Sequence, residues 1–209
     1  MSLDLKKHWN SAYYKNEVSN LGWYEEDPNA SLQLIQQCEF NKDARLLNVG
    51  IGASTLLDKL VLEGYKNIIA NDISSTAIQK LKERLGEKEG DIQWIVDDLT
   101  KPTSLSKIEP VDLWNDRAVI HFFTEEKDQN TYFSLLNKLV KPNGYVIISA
   151  FNTDGATMCS GLPVFRYNKE MLIEKLGPDY KLIEFFNYTY TMPSGDTRPY
   201  IYTLFQRNL

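Results

Sequence analysis

A short apolar segment that runs directly into two closely spaced glycines constrains this chain more than any other feature. Residues 45–55 read Arg-Leu-Leu-Asn-Val-Gly-Ile-Gly-Ala-Ser-Thr. The apolar run is typical of a buried parallel strand, and Gly50 and Gly52 allow a tight turn with close approach of a ligand to the backbone. Ser54 can cap a following helix, whose first N–H groups would face an anionic or polar ligand. The segment therefore predicts a strand, a nucleotide-type loop and a helix.

Similar short apolar segments recur along the chain, separated by helix-like segments. Strands are predicted at residues 45–49, 67–72, 92–96, 111–115, 145–151, 180–191 and 200–207. Strands that alternate with helices of about 10–15 residues are typical of a parallel α/β sheet. The last two strands are joined by only eight residues, 192–199. Because that connection is too short for a crossover helix, the last pair is predicted to be antiparallel.

The helices are predicted from apolar spacing and from capping residues. Residues 3–15 carry apolar side chains at spacings of three and four, which predicts a first helix. Residues suited to a helix N-terminus then recur between the strands. They are Asp27 followed by Pro28, Ser54, Ser74 or Ser75, and Thr124.

Length, charge and cysteine content exclude several classes of protein. A chain of 209 residues suits one domain with one large core. A net charge of −5 opposes binding to the phosphate backbone of nucleic acids. No apolar run approaches the roughly 20 residues of a membrane span, and residues 1–10 lack the apolar core of a signal peptide. Cys38 and Cys159 lack metal-ligand spacing, so we expect no metal site and a cytoplasmic location.

Acidic residues follow several predicted strands, at the edge where open α/β sheets bind their ligands. They are Asp72, the pair Asp97 and Asp98, and Asp116. Asp72 lies 22 residues after Gly50, close to the offset of about 20 residues that is typical of a ribose-binding acid. Its two carboxylate oxygens suit the two ribose hydroxyls. The alternative is that Asp72 only caps the helix that follows it.

Thr55 separates two classes of nucleotide cofactor. A dinucleotide-binding loop carries a third glycine at this position, and this chain has threonine. No second nucleotide-binding half follows either. A mononucleoside cofactor without pyrophosphate fits better, and S-adenosylmethionine is the candidate.

With these residues in place, the chain resembles class I S-adenosylmethionine-dependent methyltransferases, over essentially its whole length. It is most similar to a bacterial group of small cytosolic methyltransferases of undefined substrate, and more distantly to thiopurine S-methyltransferases and protein-lysine methyltransferases. The segments that carry the resemblance are 22–24, 48–53, Asp72, 98–99, 116–122, 159–167 and the terminal hairpin. The resemblance implies a Rossmann-like, doubly wound, seven-stranded sheet with helices on both faces.

The resemblance also implies a set of cofactor contacts. The backbone at Gly50 and Gly52 would contact the methionine part, and Asp72 the ribose. Asp98 and the Leu99 N–H would contact adenine, and Asp116 would end the fourth strand beneath the sulfonium. Further cofactor-binding candidates beside these residues are Trp23, Ile51, Ser54, Ile73 and Asp97.

Asn48 departs from the family pattern, which usually opens the glycine motif with aspartate or glutamate. An asparagine side chain still accepts a hydrogen bond, but it supplies no charge to the ammonium group of the cofactor. We interpret this as a tuning change and keep Asn48 among the cofactor-binding candidates. Asp116 could take over the interaction.

Asp116, Arg117 and His121 form the predicted catalytic set. Arg117 and His121 lie one helical turn apart, and they could position a substrate anion and accept its proton. Alternatively, Arg117 pairs with a neighbouring acid and His121 packs as a core imidazole.

The aromatic residues near the N-terminus have two interpretations. Trp9, Trp23 and Tyr24 could cover the cofactor with an aromatic face near the sulfonium, or they could simply pack the first helix. Cys159 could line the acceptor pocket or be a structural thiol.

We therefore predict one methyltransferase domain over residues 1–209. Residues 1–40 form a helical lid region, 41–152 the cofactor-binding core, and 153–209 a substrate-side loop and hairpin. The predicted acceptor is an S, N or O atom of a small molecule, with a protein lysine as the alternative. A protein that binds S-adenosylmethionine without catalysis is the other class considered. We expect a monomer or homodimer that binds neither nucleic acid nor membrane.

Overall fold

One mixed sheet of seven strands runs through the protein, and helices cover both of its faces. The computed structural model describes residues 4–209, apart from the side chains of residues 89–91. The strands are β1 Arg45–Val49, β2 Asn67–Asp72, β3 Ile92–Val96, β4 Val111–Arg117, β5 Val140–Phe151, β6 Met158–Cys159, β7 Leu162–Pro163, β8 Tyr180–Thr191 and β9 Thr197–Arg207. The helices are α1 Leu5–Lys15, α2 Asn29–Ile35, α3 Leu56–Leu62, α4 Ser75–Leu85, α5 Glu126–Leu139 and α6 Lys169–Leu176.

The sheet order is β3-β2-β1-β4-β5-β9-β8, and β6 pairs with β7 in a separate two-stranded ribbon. Strands β1 to β5 are parallel, whereas β9 is antiparallel to both β5 and β8. This confirms the predicted fold class, including the antiparallel last pair. Chain order reverses between β1 and β4, which is the position where open sheets of this kind bind ligands.

Side-chain alternation along the strands explains why helices pack on both faces. Leu46 in β1 belongs to the apolar cluster that includes α2, α3 and α4, whereas the next residue, Leu47, belongs to the cluster that includes α5 and α6. The same alternation holds for Leu113 and Trp114 in β4. Because both faces of a parallel strand are buried, its sequence is nearly continuously apolar.

The predicted helix starts are partly confirmed. Ser74 caps α4, and its hydroxyl accepts a hydrogen bond from the Ala77 N–H at 3.1 Å. The predicted cap at Thr124 is wrong, since α5 begins at Glu126 and no side chain caps it. The first helix begins at Leu5; residue 3 of the predicted range lies outside the described residues.

Two element boundaries also differ from the prediction. Helix α2 begins at Asn29 with Pro28 at the cap position, and the Asp27 carboxylate instead pairs with Lys59 at 3.2 Å. Strand β5 begins at Val140, ahead of the predicted residue 145. Over residues 4–209, no helix combines the length and the apolar character that spanning a membrane requires.

Candidate active site

The carboxyl ends of the central strands open into a cavity of about 310 Å³, bounded on one side by α1. Most of the predicted site residues line it. They are Trp23, Gly50, Ile51, Ser54, Asp72, Ile73, Asp97, Asp98, Leu99, Arg117 and His121. The predicted residues Asn48, Gly52 and Asp116 are not part of the cavity wall.

The glycine loop has a backbone shape that only glycine adopts readily. Gly50 and Gly52 have φ angles of +54° and +57°, in the left-handed region that penalises residues with a Cβ atom. A Cβ atom on Gly50 would lie 2.0 Å from Cγ2 of Val119, and one on Gly52 would lie 2.2 Å from the Tyr13 hydroxyl. The loop therefore brings its backbone against the residues that close the cavity.

Asp72 holds the glycine loop and the start of α4 together. One carboxylate oxygen accepts from the Gly52 N–H and the other from the Ser74 N–H, each at 2.7 Å. Burial raises the pKa of this carboxyl group to about 6, against the opposing effect of these backbone hydrogen bonds. Asp72 thus combines structural bonding with a position on the cavity wall, so both interpretations of this residue find support.

The two acids after β3 have different surroundings. The Asp97 carboxylate accepts hydrogen bonds from the backbone of Thr103, Ser104 and Leu105. These bonds lower its pKa against the effect of burial. One oxygen of the Asp98 carboxylate, by contrast, accepts from Thr100. Asp97 therefore shapes the loop, and Asp98 is the acid with more capacity for a ligand.

Helix α1 attaches to the start of α4 at the edge of the cavity. The Asn10 side chain accepts from the Ser74 hydroxyl at 2.8 Å, and the Trp23 indole N–H donates to the Tyr13 hydroxyl at 2.9 Å. The Trp9 ring meets the rings of Trp23 and Phe122 edge-on, at centroid distances of 5.4 and 5.0 Å. The aromatic residues therefore both pack α1 and line the cavity.

Arg117 is a buried cation on the cavity wall. Its guanidinium pairs with the Glu25 carboxylate at 2.7 Å and donates to the Trp23 carbonyl at 3.0 Å. Its Nη2 atom is buried without a hydrogen-bond partner. The predicted alternative of a pair with a neighbouring acid is therefore realised, and the guanidinium keeps one donor group for a ligand.

His121 lies at the end of the cavity as a neutral imidazole. It is fully buried between Phe122 and Phe151, with ring centroids 4.5 Å from each. Burial and, secondly, the nearby Arg117 charge lower its pKa to about 3. Its Nδ1 accepts from the Phe151 N–H at 3.5 Å, so Nε2 carries the proton in the neutral form. This arrangement opposes a general-base role and leaves an Nε2–H donor without a partner.

Asp116 points away from the cavity, to the face of the sheet covered by α5. Its carboxylate accepts from the N–H groups of Val119 and Ile120 and from the Tyr132 hydroxyl at 2.8 Å. Burial raises its pKa to about 7. The carboxylate therefore holds the turn after β4, and the structure does not place it where the predicted role beneath the sulfonium would require.

The lowered pKa of His121 predicts a pH-dependent stability. In the unfolded chain this histidine binds a proton below about pH 6.5, whereas the buried ring does so only near pH 3. The contribution of His121 to stability therefore falls as the pH drops from 6.5 towards 3, at up to ~1.4 kcal/mol per pH unit, whereas the raised pKa values of Asp72 and Asp116 contribute in the opposite direction. We expect the free energy of unfolding of His121→Leu, measured in urea between pH 4.5 and 7.5, to lack the part of the pH dependence that His121 contributes. Equal pH dependence of both proteins would contradict the burial of a neutral ring.

Three residues that the sequence analysis did not identify also belong to the site. Tyr13 covers Gly52, Glu25 pairs with Arg117, and Asn115 lines the cavity. The Asn115 Nδ2 donates to Asn48 Oδ1 at 2.9 Å. Among the described residues, no group of three or more His, Cys, Asp or Glu side chains is arranged to hold a metal ion.

The comparisons with known proteins bear on the fold and on the class of protein. Residues 47–148 match the family model described as "Methyltransferase domain". The fold and this match, which spans 102 of the 209 residues, support a class I S-adenosylmethionine-dependent methyltransferase.

Individual relatives are distant. The chain is 27% identical over 203 residues to human EEF1A lysine methyltransferase 2, covering 88% of this chain and 77% of the relative. The zebrafish (Danio rerio) protein of the same name is 23% identical over 197 residues, with 87% and 77% covered. A solved SAM-dependent methyltransferase from Anabaena variabilis shares the fold, with a TM-score of 0.77, 15% identity and coverage of 98% and 93%.

Proposed function

We propose that the protein methylates an S, N or O atom of a small molecule. The observation that carries this proposal is the largely buried Arg117 on the wall of the cavity, with Nη2 free of protein partners. Because Glu25 balances the charge of this guanidinium, what it offers is an N–H donor, which favours a neutral or anionic acceptor with a free lone pair over a protonated amine, which has none. The aromatic wall of Trp9, Trp23 and Phe122 suits an acceptor with an apolar body.

For the cofactor, we propose contacts that follow the cavity wall. Asp72 suits the ribose hydroxyls, and Asp98 with the Leu99 N–H suits the adenine ring. Ile51, Ile73 and Leu99 supply the apolar wall that a purine needs. Bound S-adenosylmethionine supplies a methyl group that its sulfonium has already activated.

The residues of this chain then have to position the acceptor and exclude water. Arg117 would orient the acceptor through Nη2, and the His121 Nε2–H would donate to it. Because His121 stays neutral to about pH 3, the acceptor would lose its proton to solvent, or would arrive already ionised.

A protein lysine is the second candidate acceptor. The curated relatives from zebrafish and human carry the name EEF1A lysine methyltransferase 2. The edge-on cluster of Trp9, Trp23 and Phe122 also offers aromatic faces that attract a cationic group.

A transfer assay separates these candidates. Labelled S-adenosylmethionine would be incubated with a panel of thiols, aromatic amines and carboxylic acids, and with lysine-containing proteins. We expect label in one or more small molecules, and we expect Arg117→Lys to reduce that transfer at least tenfold because the forked donor geometry is lost. Label only in protein lysines would overturn the small-molecule proposal.

We also propose a cytoplasmic location. Cys38 and Cys159 are both free thiols, which suits a reducing compartment. We further propose that the protein is a monomer or a homodimer, two states that light scattering in solution distinguishes.

A further inference from the structure

Two asparagines lie side by side at the carboxyl ends of β1 and β4. Asn48 and Asn115 are register partners in the parallel pair, and both side chains are buried, at 0% and 2% exposure. The Asn115 Nδ2 donates to Asn48 Oδ1 at 2.9 Å. Two polar atoms of the pair, Asn48 Nδ2 and Asn115 Oδ1, are left without a hydrogen-bond partner.

Only one of these two atoms belongs to a residue on the cavity wall. Asn115 lines the cavity, whereas Asn48 lies behind it. Buried acceptors almost always have a donor in the functional state, because leaving one unpaired is costly. The free atom of Asn115 is an oxygen, so its missing partner is a hydrogen-bond donor.

The S-adenosylmethionine molecule offers such a donor in the ammonium group of its amino-acid part. We propose that Asn115 Oδ1 binds this ammonium group, and that Asn48 is a positioning residue that holds the Asn115 amide in the required orientation. Position 48 is where the resembling family usually carries an acid. In this chain the neutral side-chain amides of Asn48 and Asn115 take the place of that single charged group. The residue that contacts the ammonium group then lies on β4 and not on β1.

The inference rests on the cofactor and is independent of the acceptor in the proposed function. It is tested by titration calorimetry with no acceptor present. Asn115→Leu is expected to weaken S-adenosylhomocysteine binding about 10- to 100-fold, the usual loss for a hydrogen bond to a charged group. Binding of 5′-methylthioadenosine, which lacks the amino-acid part, should change less than about twofold.

Two further variants separate a binding role from a packing role. Asn48→Leu should weaken S-adenosylhomocysteine but not 5′-methylthioadenosine, since it removes only the partner that orients Asn115. Asn115→Asp keeps an acceptor and adds charge, and the Asn48 amide can turn so that its unpartnered Nδ2 donates to the new carboxylate; this variant should therefore retain the affinity of the wild type or exceed it. If Asn115→Leu does not fold, Asn115→Ala removes the amide without adding volume and gives the same comparison.

Equal losses for both ligands in Asn115→Leu, or no loss for S-adenosylhomocysteine, would overturn the proposal. It would also fail if an analogue without the amino group still bound Asn115→Leu more weakly than the wild type. Failure of the proposed function looks different, since the wild type would then bind the cofactor normally and label no small molecule.

Discussion

Gly50→Ala is expected to lower the free energy of unfolding by about 2–5 kcal/mol. The left-handed φ angle costs an alanine about 1–2 kcal/mol of this, and overpacking costs about 1–3 kcal/mol. The alanine Cβ would lie 2.0 Å from Val119 Cγ2, on the turn that follows β4. Val119 also lines the cavity, so the displaced turn would narrow the site. We expect binding of S-adenosylhomocysteine to fall below detection in calorimetry, and urea unfolding to give the stability loss.

Gly64→Ala is the matched control for this variant. Gly64 also has a positive φ, +84°, but a Cβ atom there would meet nothing within 4 Å. Gly64→Ala should therefore lose only the part of the unfolding free energy that the left-handed φ angle costs, about 1–2 kcal/mol. It should bind S-adenosylhomocysteine as tightly as the wild type. If Gly50→Ala and Gly64→Ala lost the same unfolding free energy and both bound S-adenosylhomocysteine, the contact with Val119 would not be the cause of the effect of Gly50→Ala.

Arg117→Met is expected to cost about 3–5 kcal/mol of stability, the usual penalty for removing one partner of a buried ion pair. The remaining Glu25 carboxylate would be buried, at 9% side-chain exposure, without a cation. The variant should also lose methyl transfer. The double variant Arg117→Met/Glu25→Leu is expected to regain most of the stability while still lacking activity, because no charge is left buried and no guanidinium meets the acceptor.

The control for the ion pair is Lys42 with Glu63, which are paired at 3.2 Å with side-chain exposures of 46% and 34%. Lys42→Met should change stability by only about 0–1 kcal/mol, as exposed pairs do. The explanation would be contradicted if Arg117→Met/Glu25→Leu were no more stable than Arg117→Met. The unpaired, desolvated Glu25 carboxylate would then not be the cause of the lost unfolding free energy.

The fold could be predicted from the sequence because its signals are local. Apolar runs of strand length between helical segments, and the short connection over 192–199, were enough for the seven strands and the antiparallel last pair. The helix starts were harder. Thr124 is a residue type that is common at helix N-caps, yet α5 begins two residues later, at Glu126. Residue type alone does not decide where a helix begins in the folded protein.

The site was predictable where its residues belong to a short motif or follow a known spacing. Gly50, Asp72 and Asp98 line the cavity as their motifs indicate. The partners of Arg117 and Asn48 lie 92 and 67 residues away in the sequence, and no local pattern relates them. The orientation of the Asp116 side chain could have been predicted, because neighbouring residues of a strand face opposite sides of the sheet. If Asn115 faces the site, Asp116 must face α5.

The attachments of the N-terminal segment also bear on how a ribosome produces this protein. The Tyr24 carbonyl is held by the hydroxyl of Tyr190, 166 residues later in the chain. At about 5–20 residues per second, translation takes roughly 10–30 s to cover that distance. The segment around Tyr24 therefore reaches its final position only after Tyr190 has been made. Until Phe122 has been made, the Trp9 ring also lacks its edge-on contact with that residue, and the uncovered indole is a site for chaperone binding.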